Sequence, residues 1–321
     1  MQNKKIMLGL MSLVVIGLLL LTGCQHEREV ETMKVGWMTT WADGGLSAEV
    51  LKRTNVMELN GVNAEMVSFL YGPPMVEAGI TGDLDVLFVG WVPAVSLMSK
   101  SDDWIIASRL IYFPMELLAR EDSGIKTVKD LKGRKIAVPY ATGPYPVVID
   151  SLERAGLDPD KDVEIVNIKP ADLIVALETG EVDAISWAEP VLTLAKQKGA
   201  YPIEEYEDIA FVVVRKSYAE NNPKQVEGFL KSLKWAQFYV AENEDKVMSW
   251  FAKDSNFDLE LVKSLNIIEP NYDAKRIEDV NLTISDRWIE HTQGKIDFEY
   301  DQDIISRRID LREKIDLRFL P

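Results

Sequence analysis

The sequence predicts an α/β protein made of two similar units followed by a helical C-terminal part. Three observations carry that expectation. From Met33 onward, short apolar runs alternate with runs of helical periodicity; the alternation starts again after "REDSGIKTVKDLKG"; beyond Asn222 only helical patterns remain. A repeated phrase marks the restart. "EAGITGDLDVLFVG", residues 77–90, is echoed by "ALETGEVDAISW", residues 176–187, with Ala78, Gly82 and Asp85 answering to Ala176, Gly180 and Asp183 at constant spacing. In each copy a helix ends at a glycine suited to the left-handed C-cap conformation, turns, and feeds a short strand that reads as buried on both faces.

The first residues follow different rules. Lys4 and Lys5 precede an almost unbroken apolar run from Ile6 to Leu21. That run falls short of the ~20 residues a bilayer-spanning helix needs and suits the core of a signal peptide. "LTGC", residues 21–24, then places two small residues before the only cysteine in the chain and resembles a bacterial lipobox. The expectation is a signal peptide over 1–23, cut before Cys24, whose thiol carries a lipid; the alternative is an anchor helix beside an incidental thiol. "QHEREVET", residues 25–32, is polar and aperiodic, so 24–32 reads as a lipidated tether. Lipidation of Cys24 leaves no thiol for a disulfide, and the core alone must then hold the fold.

Along the body, "MKVGWM" reads as a first strand and "DGGLSAEVLKRT" as a helix capped by Asp43. "GVNAEMVSFL" alternates as a second strand, and "GPPMVEAGITGD" is a helix that opens with prolines. "DVLFVG" is a third strand and "VPAVSLMSK" a helix; "WIIASRLIYF" and "MELLARE" read as two separate strands. The second unit runs strand "RKIAVPY", helix "GPYPVVIDSLERAGL", strand "DVEIVNI", helix "PADLIVALETGE", strand "VDAISW", helix "PVLTLAKQKG" and strand "DIAFVVVRK". Amphipathic helices follow over "PKQVEGFLKSLKWAQFYVAENE", "DKVMSWFAKD", "DLELVKSLNII" and "KRIEDVNLTISDRWIEH".

Composition narrows the function. The 321 residues are 47% apolar and 27% charged, ordinary for a globular protein, but the net charge is −16. No basic stripe is available to neutralise phosphates, so nucleic acid is not an expected partner. Cysteine and histidine chemistry lack their residues: Cys24 is assigned to lipid, His26 lies in the tether and His291 on a polar helix. No HExxH, P-loop or GxSxG pattern occurs, and carboxylates do not cluster at ligand spacing. No catalytic residue, metal or cofactor is therefore expected.

Three stretches resemble a known family: "EAGITGDLDVLFVG" (77–90), "VKDLKGRKIAVPYATG" (128–143) and "LERAGLDPDKDVEIVNIKPADLIVALETGEVDAISWAEP" (152–190). The chain is similar to the substrate-binding proteins of ABC importers for nitrate, sulfonates and taurine, which share their fold with thiamine-pyrimidine binders. The resemblance implies a two-lobed periplasmic-binding-protein-like (type II) fold hinged on two crossing strands, near "MELLARE" and "FVVVRKS". By analogy, lobe 1 comprises 33–118 plus 212–321 and lobe 2 comprises 119–211. It further implies a monomer held by lipid on the extracytoplasmic face of the cell membrane. Its partners would be a small-molecule solute and an ABC permease with its ATPase. Two alternatives remain. One is an enzyme like the pyrimidine-precursor synthase on this fold, whose cysteine-rich motif and active-site histidine have no counterpart here. The other is a sensor lipoprotein without a transporter.

In open α/β sheets, ligands sit off the carboxyl ends of the strands, and those positions are unusually aromatic in this chain. Trp37, Trp41, Tyr71, Trp91, Tyr112, Phe113, Tyr140, Tyr145 and Trp187 all fall at expected strand ends or helix starts. Flat side chains there can sandwich a ring or hold a cation. Bare helix N-termini, the usual oxyanion device, are undercut by prolines in "GPPM", "WVPA", "TGPYP" and "AEPV" and by acidic Asp43 and Glu189. Arg109, Arg120 and Lys169 read as surface or strand-end charges. The expected ligand is thus aromatic or heterocyclic, or an organosulfonate with an apolar body. Its expected contacts are Trp41, Trp91, Tyr112, Tyr140, Tyr145 and Trp187, with polar contributions from Thr39, Thr142 and Glu189.

Overall fold

The computed structural model describes residues 31–321, so the expected signal peptide, Cys24 and most of the expected tether lie outside the described residues. Among the described residues no helix is long and apolar enough to cross a membrane. The body from Met33 to Pro321 is organised on eight strands: β1 (Met33–Met38), β2 (Ala64–Phe69), β3 (Val86–Gly90), β4 (Trp104–Ala119), β5 (Lys135–Ala137), β6 (Glu164–Val166), β7 (Ala184–Trp187) and β8 (Tyr201–Arg215).

Their order across the sheet is β2-β1-β3-β8-β4-β7-β5-β6. β1 runs parallel to β2 and β3, and β5 parallel to β6 and β7. Each parallel trio meets one long strand in antiparallel sense: β3 pairs with residues 210–214 of β8, and β7 with residues 116–119 of β4. β4 and β8 pair with each other from Trp104↔Arg215 to Ala119↔Tyr201. The two strands expected over 104–121 are therefore one, with Pro114 inside it opposite Glu207. Pro114 lies in a stretch of regular register between the shifts at Arg109/Ile111 and Leu117/Leu118, and the ladder tolerates it because β4 pairs there with β8 alone, β7 joining only from Glu116.

Helices cover both faces. They are α1 (Ala42–Arg53), α2 (Val56–Leu59), α3 (Gly72–Ile80), α4 (Trp91–Lys100), α5 (Pro144–Arg154), α6 (Leu173–Glu178), α7 (Val191–Gln197), α8 (Lys216–Asn221), α9 (Pro223–Glu242), α10 (Glu244–Ser255), α11 (Leu259–Lys263), α12 (Asp286–Asp301) and α13 (Leu311–Lys314). The last long helix starts at Asp286, not near Lys275, because residues 275–285 leave helical geometry after one turn of 3-10 helix. The largest apolar cluster spans residues 33–115 and 209–319, while two smaller ones lie on opposite faces of the β4–β7–β5 region. Alternation sorts them: Leu118, Ala137 and Ile185 face one way, Leu117, Ile136 and Ala184 the other. In α9, Val226, Phe229, Leu230, Leu233, Ala236 and Val240 form one buried stripe.

The repeated phrase has a structural meaning. Gly82 and Gly180 both adopt left-handed backbone, with φ of 85° and 73°. Asp85 accepts a hydrogen bond from the Lys34 amide at 2.9 Å and pairs with Arg215; Asp183 accepts from the Lys135 amide at 3.0 Å and from Arg134 at 3.2 Å. Each aspartate thus ties the start of one parallel strand to the start of the next. No atom lies within 4 Å of a Cβ built on Gly82, so Gly82→Ala should cost only backbone strain. The expected loss is about 1 kcal/mol, read as a lowered urea midpoint with unchanged slope; an unchanged midpoint would contradict it.

Candidate functional site

Where the two parallel trios approach the long strands, the carboxyl ends of β1, β3 and β7 and the starts of α3, α4 and α5 enclose a cavity of about 50 Å³. Its wall is Met38, Trp41, Gly72, Gly90, Trp91 and Pro93 from the first unit, and Thr142, Gly143, Pro144, Trp187 and Ala188 from the second. Phe113 and Met115 of β4 and Asp208 of β8 complete it. The volume holds roughly four water molecules.

The rings are set by their elements. Trp41 caps α1 and meets Phe113 edge-on, with centroids 5.0 Å apart at 76°. Trp91 opens α4, and its indole N–H donates to Asp208 Oδ2 at 2.8 Å. Trp187 ends β7. The Nε1 atoms of Trp41 and Trp187 are buried and have no hydrogen-bond partner. Thr142 is buried at the cavity but donates its hydroxyl to the Pro139 carbonyl. Asp208 is the one ionisable side chain in the wall. Its Oδ1 accepts from the Ile209 amide at 2.9 Å and from Lys295 Nζ of α12 at 3.2 Å.

Of the residues anticipated as contacts, the structure brings together Trp41, Trp91, Thr142 and Trp187. The others lie elsewhere. The Thr39 hydroxyl donates to the Phe69 carbonyl, which ties β1 to β2. Tyr112 stacks on Trp288 at 4.9 Å and sits beneath the Arg109 guanidinium, 4.2 Å from its ring centre. Tyr140 and Tyr145 pack against each other at 4.7 Å, and Tyr140 is 41% exposed. Glu189 turns back into its own helix start, accepting from Thr193 N at 3.0 Å and Thr193 Oγ1 at 2.8 Å, and also from the Asn266 amide at 3.2 Å. Burial holds the Glu189 carboxyl above its ordinary pKa, and these hydrogen bonds temper the rise. Trp37 is core, not cleft.

Two charge assignments need correction. Arg109 is only 3% exposed and is committed to buried Glu269 and the Asn281 carbonyl, because its strand runs beneath the C-terminal helical part. Asp43 does not cap α1: it lies inside the first turn, fully buried, with neither carboxylate oxygen hydrogen-bonded. Burial, then the charge of Glu189, drives its pKa well above the usual carboxylate range, which favours the protonated form. The nearby Trp41 indole tempers that rise without reaching hydrogen-bond geometry.

Sequence reading missed Asp208, the last of four acids in "EEYED" ahead of the apolar run "IAFVVV"; its place next to that run is the one cue that sets it apart from Glu204, Glu205 and Glu207. It also missed Glu299 of α12, for which the polar helix gives no cue. Burial pushes Glu299 up to about 8, and the Asp208 charge adds to this. Among the described residues, no group of three or more His, Cys, Asp or Glu side chains is arranged to hold a metal ion.

The fold is that of the periplasmic binding proteins. The alkanesulfonate-binding protein SsuA from Xanthomonas axonopodis pv. citri, bound to MOPS, superposes with TM-score 0.73 at 19% identity, over 89% of this chain and 98% of that one. Residues 105–247 match the family described as "NMT1/THI5 like". In sequence the chain is 27% identical to a putative aliphatic sulfonates-binding protein of Bacillus subtilis, over 97% of this chain and 95% of the relative. The fold also extends to an enzyme, the desulfurization enzyme DSZB, at TM-score 0.64 and 16% identity, over 90% of this chain and 97% of that one.

Glu299 generates a pH prediction. Folded protein keeps its proton up to about pH 8, whereas the unfolded chain releases it near the ordinary value of 4.5. Between those values the folded state binds more protons, so stability falls as pH rises. Asp43 contributes with the same sign. Urea midpoints should therefore drop between pH 5 and pH 8, and Glu299→Gln should shrink that drop; an equal drop in the variant would contradict the assignment.

Proposed function

We propose that this chain is an extracytoplasmic solute-binding lipoprotein that captures a small organic molecule in the Trp41–Trp91–Trp187 cavity and delivers it to the permease of an ABC importer. One observation carries the reading: a cavity whose wall is shared by both parallel units, with the two strands that join them forming its floor. A pocket so divided opens when the units part and shuts when they close, the ligand-linked motion such folds use. The name of the Bacillus subtilis relative supports an organosulfonate among the candidate solutes. A volume of about 50 Å³ favours a compact molecule among the aromatic, heterocyclic and organosulfonate ligands the sequence pattern suggested. Cys24 is the proposed lipid attachment site, and the body is proposed to act as a monomer with lobes over 33–118 plus 212–321 and over 119–211.

An enzymatic reading has one support, the fold shared with DSZB, which at 16% identity speaks to fold alone. The cavity wall offers no histidine, cysteine or serine, and its threonine hydroxyl is already committed to a carbonyl. A nucleophile with an adjacent base is missing from that wall.

Thermal unfolding against a panel of small organic solutes tests the proposal. A ligand bound only by the folded state raises the melting temperature and should shift tryptophan emission, and Trp187→Ala should weaken it at least tenfold. Absence of any response across amines, sulfonates, carboxylates and heterocycles would overturn the reading. Incorporation of labelled palmitate, lost in Cys24→Ser, checks the anchor.

A further inference from the structure

We infer that the solute bears a compact organic cation, a methylated ammonium head, seated among the faces of Trp41, Trp91, Trp187 and Phe113 with the Asp208 carboxylate in the wall. The inference rests on the reading of this cavity as the solute site and adds the chemical class.

The charges point one way. No lysine or arginine lines the cavity, and Asp208 is its single ionisable residue. Lys295, outside the wall, pairs with Asp208 Oδ1 at 3.2 Å and places its ammonium over the Trp91 ring, 5.7 Å from the centroid, so a cation already uses one carboxylate oxygen and one indole face from behind the wall. The remaining oxygen, Oδ2, takes the Trp91 indole N–H and lies 3.5 Å from a Cβ built on Gly143 at the cavity edge. Arg109, the strongest cation of the first unit in sequence, is sealed in its pair with Glu269.

Donors for an anion are scarce. A sulfonate stripped of water needs hydrogen bonds to its three oxygens, or it suffers the cost of a buried unpaired charge. Thr142 and Trp91 have already donated theirs, to Pro139 and Asp208. Pro73, Pro74, Pro93, Pro144 and Pro146 remove amide donors from the first turns of α3, α4 and α5. Among the side chains of this wall, the indole N–H groups of Trp41 and Trp187 are buried without a partner.

Ring faces and a carboxylate suit a cation instead. Desolvated cations gain most from tryptophan faces, and quaternary ammonium groups are held in this way because their methyls also bury apolar surface. The starts of α3, α4 and α5 reach the wall through Gly72, Trp91 and Pro144, and their dipoles favour an acidic tail on the same molecule. The Trp187 indole N–H would serve that tail. A small zwitterion with a methylated ammonium head satisfies both ends.

Tryptophan-emission titrations of the whole protein with choline, trimethylglycine, ethanesulfonate and 3,3-dimethylbutanol, the uncharged carbon isostere of choline, test this. At least one ammonium compound should bind, the isostere at least tenfold more weakly than choline if choline is the one, and ethanesulfonate more weakly still. Asp208→Asn should lower affinity for the ammonium compound about tenfold or more. Should that variant not fold, protein grown on fluorinated tryptophans, whose ring faces are less negative, should bind the cation progressively less as fluorines are added. Equal binding of isostere and cation, insensitivity to fluorination, or binding of ethanesulfonate without either ammonium compound would overturn the inference while leaving the solute-binding reading intact. Silence toward these four with a response to some other solute class would do the same; silence toward every class overturns both.

Discussion

The architecture depends on the pairing of β4 with β8. These strands of 16 and 15 residues bond along their whole length, and each hands one half of itself to a different parallel trio. Nothing else in the sheet connects the two trios. Their near-continuous burial from Ile105 to Leu118 and from Ile209 to Val214 makes the ladder a stiff apolar spine. The cavity floor, Phe113, Met115 and Asp208, sits near the middle of that spine, between the segment of β8 that pairs with β3 and the segment of β4 that pairs with β7. Cavity geometry and inter-unit geometry are thus set by the same few residues.

Much of this was legible from residue order. Strand and helix alternation located the α/β units, and the paired phrase at Gly82 and Gly180 marked equivalent turns because only glycine takes that backbone cheaply. What the phrase did not reveal is why its aspartates recur: Asp85 and Asp183 receive amides from strands some fifty residues away in sequence, a contact that only the folded register creates. Pro114 suggested a break between two strands, yet tertiary pairing on both sides carried the ladder through it.

The candidate site divided along similar lines. Trp41, Trp91, Thr142 and Trp187 stood at strand ends and helix starts, and that position was sufficient to bring them together. Tyr112, Tyr140, Tyr145, Thr39 and Glu189 met the same rule but were claimed by nearer partners, among them Trp288, a neighbouring tyrosine and the Thr193 hydroxyl. Local pattern fixes where a side chain starts; long-range packing decides which way it is used. Asp208, Lys295 and Glu299 come from distant segments and meet only through the placement of α12 against β8. Asp43 and Glu299, buried acids without hydrogen-bond partners, cost stability, and local rules broken in this way gather at functional sites.

The central claim is that the two units close on a solute held between them. Pulsed electron spin resonance on full-length protein, with Cys24 replaced and spin labels on cysteines at the exposed positions Leu59 and Val175, measures that motion directly. With a bound solute the distance distribution should narrow and move to a single value, against a broader population without it. Identical distributions at saturating solute would contradict the account.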